Sequence, residues 1–159
     1  MLDYKIEVFR PNNKFYIDQC LKIAYSYHVD NGGFLGYRNA VKDACDYVIC
    51  AVHGEEVLGY LGVNFNQRKE LVIVQTAVKE EYKRQGIATE LLLYLKHHSL
   101  GFEKIVSFVD KQNQPSIKMH LHMDFRYQNC GPDIFFEMPT KFIEGNEILQ
   151  ETTEKELED

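Results

Sequence analysis

No apolar run in this chain of 159 residues approaches the roughly 18–20 residues that a membrane-spanning helix needs. Nor does the start, Met1 to Lys5, have the charged-then-apolar shape of a signal peptide, so a cytoplasmic location is expected. There is no Cys-x-x-Cys pair. Cys20, Cys45, Cys50 and Cys130 therefore read as reduced, mostly buried thiols. Positive charge is not in excess: the net charge of −6 argues against non-specific nucleic-acid binding and favours a cationic or neutral substrate. The Gly-x-x-x-x-Gly-Lys-Ser/Thr and Gly-x-Gly-x-x-Gly patterns of nucleotide sites are absent, as is any obvious Ser or Cys nucleophile motif. Without an internal repeat or linker, residues 1–140 are expected to form a single domain. Residues 141–159 are expected to form an acidic terminal helix or tail, with little to bury from Glu144 onward beyond Ile148 and Leu149.

Short strands and helices fill that domain. Tyr4, Ile6 and Val8 alternate with Asp3, Lys5 and Glu7, which predicts a half-exposed strand. Pro11 to Asn13 turn the chain into a helix with the stripe Ile17, Cys20, Leu21 and Ala24. His28 to Gly36 are turn-rich and predict a loop, and Tyr37, Val41, Ala44 and Cys45 predict a second, shorter helix. Residues 47–52 and 57–65 read as a hairpin turning at His53 to Glu56. The β-branched run from Leu71 to Val78 reads as a buried strand, followed by a long helix that Gly101 caps. Lys104 to Val109 predict another strand. Pro115 then suits the first turn of a helix with Ile117, His120 and Leu121 on one face. Phe125 to Tyr127 and Ile134 to Met138 close the chain as two strands across a turn at Cys130 to Asp133. The order is β-α-α-β-β-β-α-β-α-β-β.

The junction between the buried strand and the long helix carries the chemistry. Lys83, Arg84 and Gln85 precede Gly86, after which Ala88, Leu91, Leu92 and Leu95 recur with helical spacing. Strand, basic glycine turn and helix start together aim free amides and a partial positive charge at an anion. Gly86 allows close backbone approach, so a phosphate or pyrophosphate is the expected ligand.

Residues Lys83 to Ala88 resemble the Gln/Arg-x-x-Gly-x-Gly/Ala signature of the GCN5-related N-acetyltransferase (GNAT) family, with Lys83 where that family usually has Arg or Gln. The element order over residues 3–140 resembles that family too. The resemblance implies an α/β (α+β) fold: a mixed twisted sheet of six to seven strands with helices on both faces. It implies acetyl-coenzyme A as co-substrate and direct acetyl transfer to a primary amine of a small molecule, peptide or protein. Pyrophosphate contacts fall on Lys83, Arg84, Gln85, Gly86, Ile87, Ala88 and Thr89. The pantetheine arm falls on Thr76, Ala77 and Val78, beside a bulge that the sequence does not reveal, and on Asn113 and Ser116. For Asn113 the other reading is local turn work before Pro115.

His120 stands where the family commonly has a Tyr that protonates the leaving thiolate. Three roles are open to it: the acid, a coenzyme contact near the sulfur, or a packed or surface histidine. His120 and His122, two apart, diverge on a helix and do not suit a metal. Leu71 to Val78 contain no carboxylate to serve as base, so a water relay is expected. Acceptor contacts are expected from His28, Asp30, Tyr37 and Asp133. The competing function is a catalytically weak acyl-coenzyme A sensor of the same fold; another acyl chain or a hydroxyl acceptor shares the fold as well. No nucleic acid or membrane partner is expected, and exposed strand edges admit a homodimer.

Overall fold

β-branched and aromatic runs broken by turn residues pair into seven strands. The structure is a computed structural model, described for residues 2–30 and 39–140, the side chains of residues 27–30 excepted. In chain order the elements are β1 (Lys5–Phe9), α1 (Lys14–Asp30), α2 (Ala40–Asp43), β2 (Tyr47–His53), β3 (Glu56–Phe65) and β4 (Glu70–Val78). A 3₁₀ turn (Glu80–Tyr82) leads to α3 (Ile87–His97), β5 (Lys104–Asp110), α4 (Gln114–His122), β6 (Arg126–Cys130) and β7 (Asp133–Pro139). The expected element order holds, with the 3₁₀ turn added.

The sheet runs β1-β2-β3-β4-β5-β7-β6. Among the described residues β4 and β5 form its one parallel pair, joined through α3. Both faces are covered, as the mixed fold requires. Ile49, Leu58, Leu61, Leu71, Ile105 and Phe136 meet Leu91, Leu92 and Leu95 of α3 and Ile117 of α4. On the other face Val48, Cys50, Tyr60 and Ala77 meet Ile17, Cys20, Ile23 and Ala24 of α1. Burying one such Leu or Val contributes roughly 1.5–3 kcal/mol.

Several local expectations shift. Helix α1 continues to Asp30, so His28 to Asp30 are helical rather than the start of a loop. The second helix is a single turn, Ala40–Asp43; Ala44 and Cys45 lie beyond it, and Tyr37 lies outside the described residues. On α3 the core residue of the first turn is Ile87, with Ala88 only half-buried, because the stripe begins one position earlier. Val8 is exposed on edge strand β1, while Phe9 stacks on Tyr16 with ring centroids 4.1 Å apart. Phe125 is a core residue before β6, which begins at Arg126. Residues 141–159, expected to be an acidic helix or tail, lie outside the described residues. No helix among those described is long and apolar enough to cross a membrane.

Candidate active site

β4 and β5 pair only from Glu70–Lys104 to Ile73–Ser107. Beyond that point the two strands part. At the closed end the Lys104 ammonium lies 3.4 Å from the Glu70 carboxylate and 3.1 Å from that of Glu137, tying β4, β5 and β7 together. On the β3 side of β4, Gly62 faces Gln75 while Val63 faces Ile73, so Val74 is an extra residue, a β-bulge. One extra residue reverses which face each later side chain takes. Accordingly Leu71 and Ile73 belong to the α3-side core, whereas Ala77 belongs to the α1-side core. Buried Gln75 accepts a hydrogen bond from the Tyr60 hydroxyl.

Where the strands part lies a cleft of about 970 Å³. Its walls are β4 from Ile73 to Val78, β5 from Ser107 to Asp110, the turn and first residues of α3, and the near side of α4. Among the described residues the β5-facing edge of β4 beyond Ile73 has no strand partner.

One end of the cleft suits an anion. Gly86 is the N-cap of α3 with φ +83°, and no side chain caps the helix. The first-turn amides have no acceptor within the helix by geometry. A Cβ added at Gly86 would meet nothing within 4 Å, so the backbone is open to a ligand. Arg84, an exposed residue, has φ +66°, the left-handed region that non-glycine residues adopt at a cost of about 1–2 kcal/mol. The Lys83 ammonium is 2.7 Å from Glu80 and holds that exposed carboxyl below the usual carboxylate range. Glu56 anchors the turn by accepting from Lys79 at 2.7 Å and from the Tyr82 hydroxyl at 3.3 Å.

His120 forms part of the opposite wall. It is 2 % exposed. Its ring lies between Phe136, stacked at 4.6 Å, and Phe125, edge-on at 4.9 Å. Nδ1 is 2.7 Å from the Ser116 carbonyl. A carbonyl only accepts, so Nδ1 carries the proton and Nε2 the lone pair. Among the described residues Nε2 is buried and without a hydrogen-bond partner. Such an atom costs about 1–3 kcal/mol until a donor reaches it. Burial pushes the imidazole pKa below its ordinary value, against a smaller upward pull from the Ser116 carbonyl.

The cleft brings together Thr76, Ala77, Val78, Lys83, Arg84, Gly86, Ile87, Ala88, Thr89, Asn113 and Ser116 from segments far apart in the chain. Gln85 is exposed and lies outside the wall. The Ile87 side chain is in the core, leaving its backbone for any ligand. Asn113 caps α4, its side chain accepting from the Ser116 amide at 3.3 Å, so the local role is present alongside its place in the wall. Asp133 is paired with Asp110 across β5–β7 and is not in the wall. His28 and Asp30 are placed only as backbone of α1, and Tyr37 is outside the described residues. Sequence reasoning missed Val74, Ser107, Phe108 and Asp110. The last three had a signal: ligands gather at the carboxyl ends of parallel strands. Val74 had none. No group of three or more His, Cys, Asp or Glu suited to a metal occurs among the described residues.

Comparison with known proteins bears on this arrangement. The family model described as "Acetyltransferase (GNAT) family" matches residues 13–125. No curated protein matches the chain. A GNAT-family acetyltransferase structure from Staphylococcus aureus Mu50 superposes with a TM-score of 0.72 at 11% identity, covering 86% of this chain and 100% of that one. YncA from Salmonella typhimurium, solved with its cofactor acetyl-CoA, gives 0.67 at 16% identity over 89% and 96% of the two chains. The PaiA N-acetyltransferase of Thermoplasma acidophilum, solved with coenzyme A, gives 0.65 at 13% identity over 87% and 99%.

Proposed function

The chain belongs to the acetyltransferase (GNAT) family, and from that premise we propose that it transfers the acetyl group of acetyl-coenzyme A directly to a primary amine. The observation that carries this reading is the parting of β4 from β5 after Ile73 and Ser107, with a left-handed glycine cap at the mouth of the opening. A diphosphate suits the amides of Ile87, Ala88 and Thr89 with Arg84 beside them. An extended pantetheine arm suits the unpartnered edge of β4 along Thr76 to Val78, and the bulge at Val74 locally breaks the ladder next to it. The thioester brings its own activation, so the residues of the cleft have to orient it, polarise its carbonyl and move protons. Acceptor contacts are assigned to the end of α1 around His28 and Asp30, to Tyr37, and to Asp133 beside the cleft residue Asp110.

Titrating acetyl-coenzyme A into wild type and Gly86→Asp by calorimetry tests this. Open space at Gly86 accepts the new side chain without a clash, and Asp tolerates left-handed φ better than most residues. Its carboxylate would stand where the diphosphate binds. Wild type is expected to bind, and Gly86→Asp to lose binding while keeping its far-UV circular dichroism. Thiol release is then followed with polyamines, amino acids and aminoglycosides as acceptors. Unchanged affinity in the variant would remove the phosphate assignment. Tight binding with no thiol release on any acceptor would replace the enzyme with a sensor.

A further inference from the structure

We propose that His120 is a two-way proton carrier: its Nε2 takes the proton that the attacking amine must lose and returns it to the departing sulfur. The proposal rests on the acetyl-transfer reading above and supplies what that reading lacks, a base. Nδ1 is committed to the Ser116 carbonyl at 2.7 Å, so Nε2 presents a lone pair rather than a proton. Nε2 is buried and has no partner among the described residues, on a side chain that walls the cleft, and Phe125 and Phe136 hold the ring in place.

The other acidic side chains of the cleft each hold a hydrogen-bond or ion-pair partner. Glu80 holds Lys83, Asp110 accepts from the Gln112 amide at 2.8 Å, and the Tyr82 phenol bonds Glu56. Between Leu71 and Val78 there is no carboxylate. Against the ring lie Ser116 of its own helix, Phe125 and Phe136, three uncharged groups. Burial lowers its pKa and the Ser116 carbonyl raises it by less; the charged residues that share the wall are Glu80, Lys83, Arg84 and Asp110.

The step balances. A neutral amine nitrogen bonds the thioester carbonyl carbon, and Nε2 accepts one N–H proton to become imidazolium. The C–S bond then breaks with its electron pair on sulfur, and the Nε2 proton moves to that sulfur. An amide and a free thiol leave, and His120 is neutral again.

The test compares wild type with His120→Gln and His120→Asn, using the amine from the acceptor panel that wild type turns over fastest. The ratio of their kcat values across pH cancels the ionisation of the amine itself. Expected is a ratio of about 100 or more above pH 7.5 that shrinks only as pH falls beneath the ordinary imidazole value of about 6.5 toward the lowered folded one, because a protonated imidazole cannot accept. Coenzyme affinity by calorimetry should change by less than about threefold, locating the loss in turnover. Nitrogen NMR of wild type labelled in histidine should show Nε2 without a proton at pH 7, a readout that needs no variant to fold. A ratio below about three, a ratio that grows toward acid as a pure acid role requires, or a protonated Nε2 at pH 7 would each overturn the proposal. Transfer by wild type that the variants match removes the carrier alone. Failure of wild type to bind coenzyme removes the acetyl-transfer reading and the carrier with it.

Discussion

Two residues show how local chemistry and burial diverge. Gly86 does its work through what it lacks: with no Cβ it holds φ +83° and leaves amides uncovered. Its neighbour Arg84 takes the same backbone region with a side chain attached, strain that tends to gather at functional sites. His120 is set by its surroundings instead. Burial lowers its folded pKa beneath the value near 6.5 of an unfolded chain. Between those two values the unfolded chain binds a proton that the folded one refuses. Its contribution to stability is therefore complete above about pH 6.5 and declines as pH falls from there toward the lowered folded value. Denaturant melts of wild type should lose stability over that acid interval, and His120→Gln should lose less. Equal slopes for the two proteins would mean that the buried imidazole does not resist protonation.

At the scale of elements, the bulge in β4 governs the site. It turns one strand into two segments with opposite facing, one anchoring α3 and the other reaching α1. Opposite the bulge, Gly62 has room for no more than hydrogen: a Cβ there would stand 2.5 Å from the Cys45 sulfur. The region around Cys45 is apolar enough that burial, followed by the charge of Asp46, pushes its thiol up to about 12. Gly62→Ala is expected to destabilise by about 1–3 kcal/mol through overpacking. Because the clash is with one sulfur, Cys45→Ala should recover much of that loss in the double variant. A double-mutant cycle by urea denaturation measures the coupling, and additive effects would show that the strain lies elsewhere.

Over the whole molecule, the cleft stands at the parallel β4–β5 junction, with antiparallel strands extending the sheet on either side. Lys104 closes one end of that junction and the cap of α3 borders the other. A ligand spanning the opening would contact β4, α3, β5 and α4 together, so binding is linked to global stability. Coenzyme A at about 100 times its Kd should add about 2.7 kcal/mol. For a domain of this size that corresponds to a rise in Tm of roughly 5–10 °C. Differential scanning calorimetry should show the rise in wild type and none in Gly86→Asp. Hydrogen-exchange protection should concentrate in the far half of β4 and the first turn of α3. Protection confined to other elements would place the ligand outside the cleft.

The chain's own pattern determined the element order and the strand-turn-helix junction around Gly86, because hydrophobic period, turn residues and helix-start chemistry are local properties. Tertiary structure alone decided three things. Val74 became a bulge through the register of β3 against β4, and an apolar run reads the same with or without it. Ile87 took the core position on α3 because it packs into the cluster that holds Leu58, Leu91 and Leu95. His120 became a buried acceptor because Phe125, Phe136 and the Ser116 carbonyl enclose it. Which ring nitrogen keeps its proton depends on neighbours in space, and those exist only once the sheet has closed around them.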